Sequence, residues 1–372
     1  MIYADNAATT KLDPDAFEAM RPYLLEQYAN ASQPYSFSRT VRAALKQARE
    51  VIATCINSRP EEIYFTSGGT ESDNWAIKGS MSYGDRRALI TSEFEHHAVL
   101  HSCERIESLG YPVAYLHPTK EGFTTPEILE QIITDKTKLV SIMMVNNEIG
   151  TIQPIKDLCA MAHSYGALFH TDAVQALGHI PVDVRELGVD MLSCSAHKFN
   201  GPKGIGFLYM KSGIPICSYM DGGEQEARMR AGTENVASIV GMAAALKKNV
   251  DRMADSQKRL KALETVLLDR LKASAIPFVR NGKKPQVPGN LSLSFPYAEG
   301  EMLLHRLDLM GIMVSTGSAC DSRNTQISHV LKAIEADEKY AVGTIRISLG
   351  YDNQPDEVIR IADALVKILS HL

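Results

Sequence analysis

Long hydrophobic runs are missing from this chain. No apolar stretch approaches the roughly 20 residues that a bilayer crossing needs, which excludes a helical membrane span. The start, MIYADNAATT, is neither basic nor followed by an apolar segment, so it does not read as a secretory signal. Blocks of lysine or arginine are missing too. With a net charge of −5 and a pI near 6.1, no surface for nucleic acid or an anionic membrane is expected. Cysteine is sparse, with six in 372 residues, too few for a disulfide scaffold. Cys55, Cys103, Cys159, Cys194 and Cys217 lie within or beside apolar patterns and read as small hydrophobes in a reducing compartment. There are no internal repeats and no low-complexity segments. A cytoplasmic globular protein is the expectation. Its 45% apolar and 22% charged residues are ordinary for that class.

What is present is alternation. From about residue 60 to 235, short apolar runs ending in turn residues alternate with helix-like segments: EIYFTS before TESDNWAIKG, RALITS before HHAVLHSCERIESLG, LVSIMMV before IKDLCAMAHSYG. ALFHTD and DMLSCSAHK continue the series, and the apolar stretch from Leu187 to Ser193 reads as a buried strand. Such βα repetition predicts a mostly parallel sheet with helices on both faces. A long helical tract over 237–275, broken near Met253–Asp255, then leads to a smaller α/β unit closed by a helix with Pro355 in its first turn.

Open parallel sheets bind ligands beyond the carboxyl ends of their strands, so the residues there carry the functional reading. Gly68, Gly69 and Thr70 follow the first strand and open a helix. They make either an ordinary capped turn or a phosphate cradle built from backbone N–H groups. His96 and His97 follow the second strand, with His101 one turn on. With Cys103 nearby these suggest zinc, but Ala98 stands where a hydrolase motif needs Glu and no second cysteine pair supports a site, so no metal is expected. Asn146, Asn147 and Glu148 follow the third strand. Asp172 ends the fourth, with Gln175 three residues on. A buried carboxylate needs a partner, and either a helix N-terminus or a protonated ring nitrogen provides one.

The fifth strand end holds Ser195, His197 and Lys198 before a glycine-rich turn. A buried ammonium is costly, whereas a lysine bound as a Schiff base carries no free ammonium, and burial moves its pKa toward reactivity. Lys203 reads as a solvated loop lysine. Pyridoxal phosphate needs such a lysine, an acidic partner for its pyridine nitrogen and donors for its phosphate. All three occur at successive strand ends.

The ordered motifs YADNAATT, FTSGGTESDNWAIKG, EHHAVL, VNNEIG, HTDAVQALG, SAHKFNGPKGIGFLY, RAGTENV, STGSAC and IRISLG cover essentially the whole chain. In them the chain resembles the cysteine desulfurases, class-V aminotransferases within the fold-type-I pyridoxal-phosphate enzymes. The resemblance implies a large domain over 13–255 with a mainly parallel seven-stranded sheet. A small C-terminal α/β domain would combine 1–12 and 256–372 and carry the cysteine loop.

It also implies roles. Lys198 would bind the cofactor covalently, Asp172 would pair with its ring nitrogen, and Gln175 would bond its phenolic oxygen. His96 would stack on the ring and relay protons. Gly69, Thr70, Ser195 and His197 would hold the phosphate, and Thr233 would reach a phosphate across a homodimer interface. Asn147 and Arg346 would receive the substrate carboxylate, and Cys320 would be the nucleophile that takes sulfur from L-cysteine as a persulfide. The setting of Cys320, STGSACDSRN, is small and polar, as a thiol that collects sulfur and delivers it elsewhere requires; a half-buried strand-end cysteine is the bland reading.

The sequence departs from the family pattern in three places. Tyr35 stands where histidine is usual, and Ser38 where glycine is usual. Asp321 and Arg323 follow Cys320 and act oppositely on its thiolate. Scaffold-docking members carry a longer tail than the one ending at Leu372, so a transfer-RNA sulfurtransferase stands beside an iron–sulfur scaffold as expected sulfur acceptor. A selenocysteine lyase, another class-V aminotransferase and an inactive fold relative are the alternatives.

Overall fold

The computed structural model describes residues 1–82, 84–316 and 327–371. Their strands are β1 (Ile2–Tyr3), β2 (Ile63–Thr66), β3 (Ala88–Ser92), β4 (Val113–Leu116), β5 (Thr137–Ser141), β6 (Leu168–Asp172), β7 (Met191–Ser195), β8 (Gly206–Met210), β9 (Val279–Arg280), β10 (Asn290–Ser294), β11 (Ile312–Met313) and β12 (Thr344–Ser348). Seven form one sheet in the order β2-β8-β7-β6-β5-β3-β4. Only β8 runs against the others; it pairs antiparallel with β2 and β7. This reversal follows from the short Phe199–Ile205 turn, which is too brief for the crossover that a parallel neighbour needs.

The central strands are buried on both faces beneath two helix layers, and the polar residues they carry, such as Ser141, His170 and Ser193, are hydrogen-bonded to one another. Phe169, Leu192, Cys194 and Phe207 are fully buried. Each buried phenylalanine or leucine among them contributes roughly 1.5–3 kcal/mol. Cys103 and Cys159 are buried as well, while Cys55 and Cys217 are half-buried.

The buried strand expected from Leu187 begins later. Leu187 ends a short helix, Val184–Leu187, capped by Gly188 at φ 78°, and the strand itself is Met191–Ser195. Gly188 takes the left-handed conformation that stops a helix, and an apolar run does not register such a stop. The AVQALG segment after β6 forms turns rather than a helix. The long tract divides into helices Val236–Asp251 and Met253–Ala273, broken at Arg252.

A second core surrounds the antiparallel sheet β12-β10-β9, with Leu291, Leu293, Ile345 and Ile347 packed against Leu260, Leu267, Val358 and Leu365. Ile2 and Ala4 join it, because β1 pairs parallel with β11. Alternation along β12 decides where Arg346 points. Ile345 and Ile347 enter this core, so Arg346 leaves by the opposite face, toward the large sheet. At the departures from the family pattern, Tyr35 is half exposed and Ser38 is buried, its hydroxyl donating to the Asn30 carbonyl at 2.8 Å.

Candidate active site

The carboxyl ends of β2, β3, β5, β6 and β7 border a cavity of about 290 Å³. Lys198, Asp172, His96, Gln175, Asn147 and Arg346 all line it. Lys198, Asp172, His96, Gln175 and Asn147 meet because the parallel strands end together, and Arg346 joins them from the separate antiparallel sheet.

A helix over Gly69–Met81 starts at the end of β2, and its first N–H groups have no intrahelical acceptor. Ser195 and His197 face the same opening, and Lys203 is exposed at its rim. The turn is kept slim. A Cβ on Gly69 would sit 2.6 Å from Val174 Cγ2, and one on Gly206 would sit 2.8 Å from the Gly68 Cα. Glu71, in the first turn, is drawn aside. It accepts from Arg230 Nε at 2.8 Å and from the Ser67 N–H at 2.8 Å. Its carboxyl is held below the ordinary glutamate range by those bonds, against the opposing effect of burial.

Lys198 Nζ donates to the Ala7 and Ala8 carbonyls at 2.7 and 2.9 Å, and Gln175 Nε2 donates to the Ala7 carbonyl at 2.9 Å. His197 Nδ1 lies 3.1 Å from Thr9 Oγ1. The N-terminal segment thus closes one wall of the site. Asp172 accepts from the Val174 N–H at 2.9 Å. Burial raises its carboxyl to about 6, against the lowering effects of that N–H and of Lys198.

His96 caps the helix His97–Ser108, its Nδ1 accepting from the Ala98 N–H at 3.1 Å. The neutral ring therefore carries its proton on Nε2. Burial, then Lys198 and the neighbouring histidines, pushes its pKa down to about 4. Arg346 Nη2 donates to Asp5 Oδ1 at 2.9 Å and Nη1 donates to the Asn147 carbonyl at 2.9 Å, while its buried Nε has no partner.

Asp73 and Glu95 were not singled out as site residues, although both lie inside quoted motifs. Asp73 lies on a helix and Glu95 in the turn before one, both settings in which a carboxylate ordinarily faces solvent, and their burial emerges only once the sheet is assembled. Oxygen or ring-nitrogen atoms of Asp73, His96 and Asp172 lie within 4.8 Å of one another. At that separation two full charges repel by roughly 3.5 kcal/mol at an effective dielectric of about 20. That repulsion disfavours ionisation of both carboxyls together.

Glu95 accepts from Ser92 Oγ at 2.6 Å and from the Met143 N–H at 2.9 Å, yet burial pushes it up to about 8. An unfolded glutamate loses its proton near 4.5. The folded state holds that proton more tightly. The resulting stability is complete below about pH 4.5 and is lost as pH rises through about 8. Glu95→Gln removes the titration. Relative to wild type it should gain roughly 2–5 kcal/mol between about pH 5 and 8.5. Denaturant melts at both ends check this, and parallel slopes for the two proteins contradict it.

One described candidate lies apart from the cavity. Thr233 is exposed and lines neither the cavity nor the opening beside it. Cys320, with Asp321 and Arg323, lies outside the described residues. His97 is half-buried and His101 exposed, with ring centroids 5.1 Å apart. Cys103 is buried, and burial drives its thiol up to about 12.

Pyridoxal phosphate fits these donors. The orphaned helix N–H groups, Ser195 and His197 suit a phosphate, Asp172 suits a protonated pyridine nitrogen, and Lys198 reaches the space between. Fold and site together define a pyridoxal-phosphate enzyme of fold type I.

The comparisons agree. The class-V aminotransferase family model matches residues 2–361. "Cysteine desulfurase IscS" of Dictyoglomus turgidum is 46% identical, over 100% of this chain and 95% of that protein. "Putative cysteine desulfurase IscS 1" of Bacillus subtilis is 40% identical, over 100% of this chain and 99% of that one. Among solved structures, a "NifS-like protein" superposes with a TM-score of 0.94 at 36% identity, covering both chains fully. "SspA in complex with cysteine" gives 0.84 at 34%, covering 94% of this chain and 99% of that one. The chain belongs to the cysteine desulfurases of the class-V aminotransferase family.

Proposed function

We propose that this cavity receives L-cysteine, that Cys320 takes its sulfur as a persulfide, and that L-alanine leaves. The observation that carries this reading is the convergence of Lys198, Asp172 and Arg346 on one cavity, the first two from the ends of β7 and β6 and the third from the face of β12. Relatives named as cysteine desulfurases, one at 46% identity, support it, and they disfavour selenocysteine cleavage and amino-group transfer.

Bound pyridoxal phosphate supplies an electron sink conjugated to the substrate's amine. The chain's own groups do the rest. Lys198 would hold the cofactor covalently, and its Nζ would move protons to and from the substrate carbon. Asp172, ionised, holds the ring nitrogen in its protonated form. Gln175 holds the phenolic oxygen, and Gly69, Thr70, Ser195 and His197 hold the phosphate. Arg346, its guanidinium already oriented by Asp5 and the Asn147 carbonyl, turns its free edge to the substrate carboxylate. Asn147 completes that grip. His96, neutral at working pH, stacks on the ring and offers its Nε2–H to the cavity.

Cys320 acts as a thiolate. A bond forms between its sulfur and that of the substrate as the substrate's carbon–sulfur bond breaks. The electron pair remains on the carbon, which takes a proton and becomes the methyl group of alanine. Oxidation of the sulfur pair balances reduction of that carbon, so no outside oxidant is needed. The outer sulfur then passes to a thiol of an acceptor protein, either an iron–sulfur scaffold or a transfer-RNA sulfurtransferase. Residues 13–255 form the cofactor-binding unit, and 1–12 with 256–372 form the smaller one, a division supported by the two separate cores. Two copies pair so that Thr233 of each reaches the other's phosphate, and the enzyme works in the cytoplasm.

The test is to incubate the cofactor-loaded protein with L-cysteine and a thiol reductant and to measure alanine and sulfide. Equal yields of the two are expected; sulfide with pyruvate in place of alanine contradicts the reading.

A further inference from the structure

Asp73 sits one turn into the helix that carries the cradle, and it lines the cavity. It is 1% exposed, and its Oδ1 has no hydrogen-bond partner. Among the described residues, the titratable groups that act on it supply no compensating charge. His170, on β6, lies with Nε2 3.7 Å from that oxygen. Its ring nitrogens engage the Ser141 and Ser193 hydroxyls, and burial pushes its pKa down to about 3, so it is uncharged. His96, at the start of the next helix, is uncharged for the same reason. Burial first, then Asp172 at the end of β6 and Glu95 after β3, oppose a negative charge on Asp73, against a smaller opposite effect of the Ser193 hydroxyl.

Asp172 is better placed to ionise. It has the Val174 N–H as a donor and Lys198 as a nearby cation. A protonated ring nitrogen adds a third attraction, and here the inference rests on the proposed function. We propose that Asp73 keeps its proton throughout turnover and acts as an uncharged positioning residue, so that Asp172 alone carries the negative charge facing the cofactor ring. The unpartnered oxygen then belongs to a neutral carboxyl whose desolvation cost is modest, rather than to a buried anion. An aspartate in this position does the work of an amide.

Asp73→Asn, Asp73→Ala and wild type, all loaded with pyridoxal phosphate, separate this from its alternatives. Asp73→Asn should hold the cofactor within about twofold of wild type, and the pH midpoint of its visible band should stay in place. Asp73→Ala should hold the cofactor roughly tenfold more weakly, the factor that losing a buried polar neighbour carries. At about pH 7.5, the infrared spectrum of the wild type should contain a protonated-carboxyl stretch that shifts with ¹³C-aspartate and is missing from Asp73→Asn. The proposal is overturned if that stretch is absent from the wild type. It is also overturned if Asp73→Asn moves the visible midpoint by about one unit or more, the effect of deleting a neighbouring charge. Failure of the functional reading is recognised separately, in the wild-type spectrum: a wild type with no bound cofactor band falsifies that reading before any variant is compared.

Discussion

Lys198→Ala is expected to stop turnover almost completely while leaving the fold in place. Alanine formation from saturating L-cysteine should fall by about 10⁴-fold or more, because the variant loses both the covalent attachment and the group that moves protons. The stability cost should be small. Lys198 is half-buried, and its Nζ makes two hydrogen bonds, to Ala7 and Ala8, worth roughly 1–2 kcal/mol together. Cofactor should still enter, held by the phosphate cradle and by Asp172, and should dialyse away. Lys198→Arg sharpens the test. It keeps a cation in the site but cannot shed its proton at working pH, so it should be as inactive as alanine. A loss of less than tenfold in either variant contradicts the assignment.

Cys320→Ala is expected to separate binding from sulfur transfer. The variant should retain the cofactor and should change the visible band on adding L-cysteine as the wild type does, since Arg346, Asn147 and Lys198 are untouched. Alanine formation should nevertheless fall on the order of 10³-fold, as removal of a nucleophile does elsewhere. Labelling with a thiol-reactive mass tag after exposure to L-cysteine should locate the extra sulfur atom on Cys320 in the wild type. Unchanged turnover in Cys320→Ala would mean amino-group chemistry rather than sulfur transfer.

The lining of the cavity was readable where it comes from the end of a strand. Lys198, Asp172, Gln175, Ser195 and His197 each follow an apolar run directly, so local pattern locates them, and the parallel sheet brings those ends together. Arg346 came only from the family resemblance; that it turns away from Ile345 and Ile347 toward the cavity is what the folded β12 adds. Contacts between distant parts of the chain left no local trace. The Ala7 and Ala8 carbonyls meet Lys198 across about 190 residues, and Asp5 meets Arg346 across 341. Nothing around Asp5 or Ala7 signals either partner. Asp73 and Glu95 were overlooked because carboxylates normally stay wet, and only assembly shows them dry. The turn at Gly188 and the reversal of β8 were missed because an apolar run reveals burial without revealing direction.

The most direct measurement is to treat the yellow protein with borohydride, digest it and map the reduced adduct by mass spectrometry. Pyridoxyl label on Lys198, with none on Lys203 or any other lysine, is the expected result. Label on a different residue, or no label at all, would contradict the central claim that the cofactor is attached at the end of β7.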